Sequence, residues 1–179
     1  DGPIPLSERV PVLENLGFSA IDERSYRLTP QFADGVREVT LHDMVIETCD
    51  GAPIELKRHD ARLEACFLAV FRGDAENDGF NRLVIAAGAD WRQAAAFRAY
   101  AGYLRQLGSL FGLRYLAETL NRYAGVTRDL GELFHVRFDP DRKFGASDRD
   151  AAEAPIRRRI ERALAGVPSL DEDRILRQF

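Results

Sequence analysis

The sequence predicts an α+β fold, with an incomplete α-β-β element over residues 1–56 followed by a mostly α-helical region. Three observations carry this expectation. A helical apolar stripe ends at Gly17 and is followed by two alternating stretches; from Leu63 onward apolar residues recur at helical spacing; and 179 residues that are 45% apolar can bury a core without staples. The expected organisation is the α-β-β element at 1–56, a helical region at 57–140, a polar linker at 141–150, and further helices at 151–179.

Leu6 and Ser7 have the form of a hydrophobic staple and N-cap, and Pro11 is expected in the first turn, where a missing N–H is tolerated. Val10, Leu13 and Leu16 make the expected inward stripe. Gly17 stops the helix, and Phe18 to Leu28 has strand content, with Phe18, Ala20, Tyr26 and Leu28 in phase on one face. Residues 30–35 connect it to a second alternation with Val39, Leu41 and Val45 on one side, which Asp50, Gly51 and Pro53 interrupt. A helix followed by an antiparallel pair is half of a ferredoxin-like βαββαβ unit, whose first strand is expected before Asp1 or in the few residues ahead of the helix.

Leu63, Phe67, Val70 and Phe71 recur at i, i+4, i+7 and i+8, so a helix is expected to run to Gly73. Phe80, Leu83, Val84, Ala86 and Ala87 repeat the spacing, and Gly88 supplies a stop. Asp90 with Gln93 has the form of a capping box, so a long aromatic helix opens there. The elbow between, Asp74-Ala-Glu76-Asn-Asp78-Gly79, begins like an EF-hand loop. Counted from Asp74, however, the twelfth position, which needs a bidentate Glu, is Ile85, and the eighth is Asn81. Turn chemistry is the better reading, with Asp78 or Gly79 starting a helix.

Gly108 and Ser109 read as a stop and a start, and Leu113, Leu116, Ala117 and Leu120 carry the next buried stripe to Gly125. Thr127 is expected to cap a helix holding Leu130, Leu133, Phe134 and Phe138, closed by Asp139 and Pro140. Pro155 is expected near the start of a helix resting on Ile156, Ile160, Ala163 and Leu164. Ser169 with Glu172 is another capping-box pattern, and nothing stops the helix it opens before Phe179.

A net charge of −4 and a pI near 5.5 give nucleic acid no electrostatic reason to bind. Lys57 and Lys143 are the only lysines, so positive charge is nearly all arginine, which suits bidentate pairing with carboxylates and subunit contacts. No stretch has the roughly 18 uncharged apolar residues of a membrane helix, and no signal peptide opens the chain. Cys49 and Cys66 form no C-x-x-C and suit free thiols in a reducing cytoplasm. The chain begins at Asp1 and its single methionine is Met44, as expected of a piece of something longer.

Chemistry-bearing patterns are sparse. There is no G-x-G-x-x-G between strand and helix and no G-x-x-x-x-G-K-[ST], so no dinucleotide or phosphate cradle is expected. His42, His59, His135, Cys49 and Cys66 match no zinc spacing, and Asp43 beside His42 would point to the opposite face of a strand. Glu14, Glu23, Asp74 and Glu76 show no acid and base geometry. Tyr100, Tyr103, Phe111, Tyr115 and Tyr123 read as core or subunit contact rather than a stacking platform, and Arg157 to Arg159 as a solvated or partner-facing edge. The expected catalytic, cofactor-binding and metal residues are therefore none.

The run from Phe67 to Gly73, then Ala75 to Val84, then Ala86 to Gly88 with Trp91 and Arg92, resembles the segment upstream of the catalytic domain in the large bacterial NAD-specific glutamate dehydrogenases. Leu6 to Phe18 with Ile21 to Arg24 resembles that family's opening of the region, and Ser169 to Arg177 its exit. The first of these is also similar to ACT-type amino-acid-sensing domains, whose ligand site would here fall at Gly2 to Leu6. The resemblance implies a non-catalytic regulatory or architectural segment of a cytoplasmic, homo-oligomeric enzyme that converts L-glutamate, NAD and water to 2-oxoglutarate, ammonia and NADH. It implies NAD in the full-length enzyme and none on this segment. The partners it implies are other domains and subunits of the same enzyme, with an amino acid as effector. The alternative reading is a stand-alone amino-acid-binding sensor module.

Overall fold

Gly17 turns the chain from helix to strand because its φ of +98° lies in the left-handed region that disfavours a side chain. The computed structural model describes residues 4–54, 56–141 and 145–179, without the side chains of 56–60, 146 and 147. Gly2 and Pro3 of the expected ligand loop, Lys143, and the side chains of Lys57 and His59 lie outside the described residues. Helix α1 (Leu6–Asn15) is preceded by Pro5 rather than capped by Ser7, and Pro11 falls past its first turn. Its buried face carries Arg9, Val12 and Leu16, so the expected stripe of Val10, Leu13 and Leu16 is rotated by part of a turn.

Strands β1 (Phe18–Leu28) and β4 (Val39–Thr48) form a long antiparallel hairpin, whose tip folds back through β2 (Gln31–Phe32) and β3 (Gly35–Val36). The register runs Ala20 to Ile46 and then Asp22 to Val45, which leaves Ile21 as an extra residue in a bulge. Because side chains alternate with period 2, that residue reverses the phase of the rest of β1. Phe18 and Ala20 therefore lie on the α1 side, whereas Tyr26 and Leu28 join Leu41 and Val39 on the opposite face. The single face expected for Phe18, Ala20, Tyr26 and Leu28 is thus split in two.

Helix α2 (Leu56–Phe71) is followed two residues on by Gly73, whose φ of +77° turns the chain away. The elbow leads into a 3-10 turn (Gly79–Arg82) and the single-turn α3 (Leu83–Ala86), a tighter arrangement than the helix expected here. Helix α4 (Trp91–Gln106) opens with both halves of the Asp90 and Gln93 capping box in place, as expected. Helix α5 (Leu113–Arg122) starts after Gly112, later than Ser109, and α6 (Ala124–Phe138) follows at once, so Gly125 lies within a helix. Thr127 does not cap α6; it is buried, and its Oγ1 donates to the Leu120 carbonyl at 2.7 Å across the junction. Helix α7 (Ala146–Leu164) begins inside the stretch expected to be linker and carries Pro155 in its middle. Helix α8 (Leu170–Gln178) is capped by Ser169.

Two apolar cores result. The smaller joins Val12, Leu16, Phe18, Cys66 and Val84; the larger gathers Phe80, Leu83, Leu116, Leu120, Ile156 and Ile175 among others from the 3-10 turn and helices α3 to α8. Consecutive residues Leu83 and Val84, both fully buried, enter different cores. The short α3 is thereby the joint between the sheet element and the helices.

Leu120 is fully buried in the larger core. Replacing it with alanine should cost about 2–5 kcal/mol in urea denaturation, from lost transfer free energy plus the cavity left behind. Glu153, buried on α7, pairs with Arg157 at 2.9 Å and with Arg137 of α6 at 3.2 Å. The hydrogen bond from Arg157, with the field of Arg137 beside it, holds its carboxyl below the usual range. Its stabilisation is thus present above the ordinary glutamate pKa and is lost as pH falls through the lowered folded value. The thermal midpoint of Glu153→Gln should accordingly fall less steeply on acidification than that of the parent chain.

Candidate functional site

The elbow that invites a calcium reading spends its carboxylate on an arginine. Asp78 Oδ1 accepts from the Phe80 amide, capping the 3-10 turn, while both of its oxygens accept from Arg98 of α4, at 2.6 Å from Nε and 2.8 Å from Nη2. The same Nη2 donates to Asn81 Oδ1 at 2.8 Å, and buried Asn81 returns its amide N–H to the Glu76 carbonyl. The Arg98 guanidinium also lies over the Phe80 ring, 5.8 Å from its centroid. A bidentate fork of this kind fixes orientation as well as contributing energy.

A second polar cluster ties α1 to the sheet. Glu23 Oε1 accepts from Arg9 and from Ser25 Oγ at 2.9 Å and lies 3.2 Å from His42 Nδ1, which is 2.8 Å from Ser25 Oγ. Burial works against the charged carboxyl, but hydrogen bonds from Ser25 and Arg9 outweigh it and hold Glu23 below its ordinary value. The partner of His42 is therefore Glu23 on the neighbouring strand, not adjacent Asp43. Strand pairing alone brings them together, so only the pairing register could have revealed the cluster.

The other candidates are dispersed. Cys66 sits in the smaller core, where burial pushes its thiol up to about 11, and Cys49 is exposed beside Ser19. His135 is on α6, 3.3 Å from Asp139. Among the described residues no group of three or more His, Cys, Asp or Glu could hold a metal ion, and no helix is long and apolar enough to cross a membrane. Phe111, Tyr115 and Tyr123 pack against the larger core, but Tyr103 is exposed and Tyr100 only edges Phe134. Arg157 and Arg158 are exposed, as expected of a solvated edge, but two of the three arginines are also paired within the chain: Arg157 with Glu153, and Arg159 with Asp129 and Glu132 of α6. Between α1, the elbow and α5 lies a cleft of about 970 Å³.

Cutting the fork should be costly. Arg98→Met leaves the buried Asn81 Oδ1 without its arginine donor and Asp78 with only the Phe80 amide, and should destabilise the chain by about 2 kcal/mol in denaturant titration.

The sequence matches the description "Glutamate dehydrogenase, ACT3 domain" over residues 1–59 and "Glutamate dehydrogenase, helical motif 3" over residues 75–140. It is 40% identical over 179 residues to the NAD-specific glutamate dehydrogenase of Pseudomonas aeruginosa, covering 100% of this chain and 11% of that one. Against the NAD-specific glutamate dehydrogenase of Halomonas elongata it is 38% identical over 177 residues, covering 99% of this chain and 10% of that one. Against that of Mycobacterium tuberculosis it is 35% identical over 179 residues, covering 97% and 11%. The chain thus spans about 11% of the length of the first of these relatives. With an ACT3 domain and a helical motif matched in order, and this identity sustained from end to end, the chain belongs to the large NAD-specific glutamate dehydrogenase family as a segment of it.

Proposed function

We propose that this chain is a non-catalytic regulatory and architectural segment of an NAD-dependent glutamate dehydrogenase. In that enzyme, L-glutamate, NAD and water give 2-oxoglutarate, ammonia and NADH, and NAD is held elsewhere in the polypeptide. The segment links a sensor-like sheet to helices that carry the chain toward the catalytic domain, within a cytoplasmic homo-oligomer.

One observation carries this reading. The sheet face turned away from α1 presents Tyr26 (44% exposed), Leu28 (44%), Val39 (39%) and Leu41 (51%) side by side, with Val45 (56%) beyond the Arg24 and Asp43 pair. A two-stranded sheet is marginal in water, and a contiguous apolar face of this kind marks a contact surface. A face of about seven residues on each of two strands has a footprint of roughly 300 Å², less than the ~800 Å² per partner of a stable standard interface. Docking within one long polypeptide needs less area, because the partner is already at high effective concentration. A stand-alone sensor module would gain nothing from leaving these residues in water, and this favours the segment reading over it.

In the full-length enzyme, Leu41→Ser with Val45→Ser should expose new sites to limited proteolysis and lower turnover. The same pair in the 179-residue chain should leave the thermal midpoint within a few degrees. If the pair unfolds the short chain, or leaves the full-length enzyme untouched, the docking role is wrong. NADH production from glutamate and NAD by the 179-residue chain would overturn the non-catalytic assignment.

A further inference from the structure

Phe111, Tyr115 and Tyr123 are taken up by the larger core, whereas Tyr100 and Tyr103 of α4 are left outside it. Along α4, Gln93, Ala96, Tyr100, Tyr103 and the C-cap Leu107 follow one another at alternating steps of three and four residues. That is the spacing of a seam by which one helix packs along another, and every member of it is uncharged. Tyr100, Tyr103 and Leu107 are exposed, and Leu110 in the loop beyond stands almost wholly in water. The same surface continues on α6. The Phe134 ring meets Tyr100 edge-on at 6.1 Å and lies 5.0 Å from Phe138, and both phenylalanines are exposed.

The two ends of this face differ in relief. Toward the N-terminal end of α4 it is hollow, with a groove of about 280 Å³ lined by Gln93, Ala96, Phe97 and Tyr100 and by Phe134 and Phe138 of α6. Toward the C-terminal end it is raised, where Tyr103 and Leu107 stand out from the helix. The face is also large. At roughly 200 Å² for each large side chain, exposures of 38% to 98% over Tyr100, Tyr103, Leu107, Leu110, Phe134 and Phe138 leave about 700 Å² in water. That is close to the ~800 Å² per partner of a stable interface and roughly twice the sheet face, so it can hold a separate molecule where the sheet face cannot.

We propose that this face is a contact between two copies of the chain, with α4 antiparallel to its counterpart about a two-fold axis at Tyr100. A two-fold axis sets one surface against itself, so a face that covers its own copy must offer both relief and hollow, as this one does. The raised Tyr103 of each copy then lies over the small Ala96 of the other, and Leu107 over Gln93. Parallel helices would instead set Tyr103 against Tyr103 and leave both grooves empty. Phe134 and Phe138 border the seam on either side of the axis, giving the interface the aromatic content that such contacts favour. This gives the homo-oligomer of the proposed enzyme a named surface and rests on that reading only for its place in the enzyme; the association itself belongs to the chain.

Sedimentation equilibrium of the 179-residue chain tests it. A reversible dimer is expected, with a dissociation constant between about 1 and 100 µM, the weak end for an interface of this size. Tyr103→Glu and Leu107→Glu should each weaken it about tenfold or more, because each buries an unpaired charge in the seam. Both side chains stand in water in the single copy, so the thermal midpoint of the monomer should stay within a few degrees. Orientation is read with cysteines in a Cys49→Ser chain, where the remaining Cys66 is buried. Gln93→Cys combined with Leu107→Cys should give a disulfide-linked dimer on oxidation, and Leu107→Cys alone should not. Within one copy the two positions are about 21 Å apart along the helix, too far to be bridged. A chain still monomeric at about 500 µM, a glutamate variant that dimerises like the parent, or equal cross-linking by Leu107→Cys alone overturns the proposal. Protection of Tyr103 from hydrogen exchange in the full-length enzyme but not in a monomeric short chain would give the face to another segment of the polypeptide, and overturns it too. None of these outcomes touches the docking role of the sheet face or the non-catalytic assignment, which fail by their own tests.

Discussion

The bidentate grip of Arg98 on Asp78 is the interaction on which the arrangement of the rest depends. It ties α4 to the elbow, and the elbow delivers Phe80, Leu83 and Val84 to their places. Leu83 completes the helical core and Val84 the core beneath the sheet, so one single-turn helix serves two clusters. Such a short helix cannot hold itself, since nucleation alone outweighs what its few internal bonds return. Its position is imposed by Asn81 beneath, Asp78 capping the turn before it, and the guanidinium that binds both.

The same use of arginine recurs wherever helices meet. Arg159 of α7 reaches Asp129 and Glu132 of α6, and Arg137 of α6 reaches Glu153 of α7, so the two helices exchange charged contacts in both directions. Glu172 of α8, nearly buried, accepts from Arg122 and from the Tyr123 hydroxyl at 2.7 Å, and that hydrogen bond holds the phenol above its ordinary value. These carboxylates lie at element junctions, where a planar fork fixes two helices in register, as a flexible lysine would not. The preference for arginine in the composition thus has a structural use on the inside of helix contacts as well as on the exterior.

The hairpin behaves differently. On the α1 side it is held by the Arg9, Glu23 and His42 cluster and by Phe18; the other side keeps its apolar residues in water. The bulge at Ile21 concentrates them there, because without it Tyr26 and Leu28 would share the α1 face with Phe18 and Ala20.

Local chemistry was readable from the sequence alone. The α+β class, the stops at Gly17, Gly73 and Gly88, the capping box at Asp90 and the caps at Asp78 and Ser169 depend on backbone conformation and hydrogen bonds within a few residues, which composition and spacing encode directly. What involved partners distant in sequence was not readable. The phase reversal at Ile21 needs the pairing register, the clasp on Asp78 needs an arginine twenty residues away, and the cleft between α1 and α5 arises only when two cores meet. Ser169 with Glu172 shows the division within one motif: the serine caps as its neighbours dictate, whereas the Glu172 carboxylate is drawn to Arg122 and Tyr123, because a buried charge goes to the strongest donors that the tertiary fold brings near.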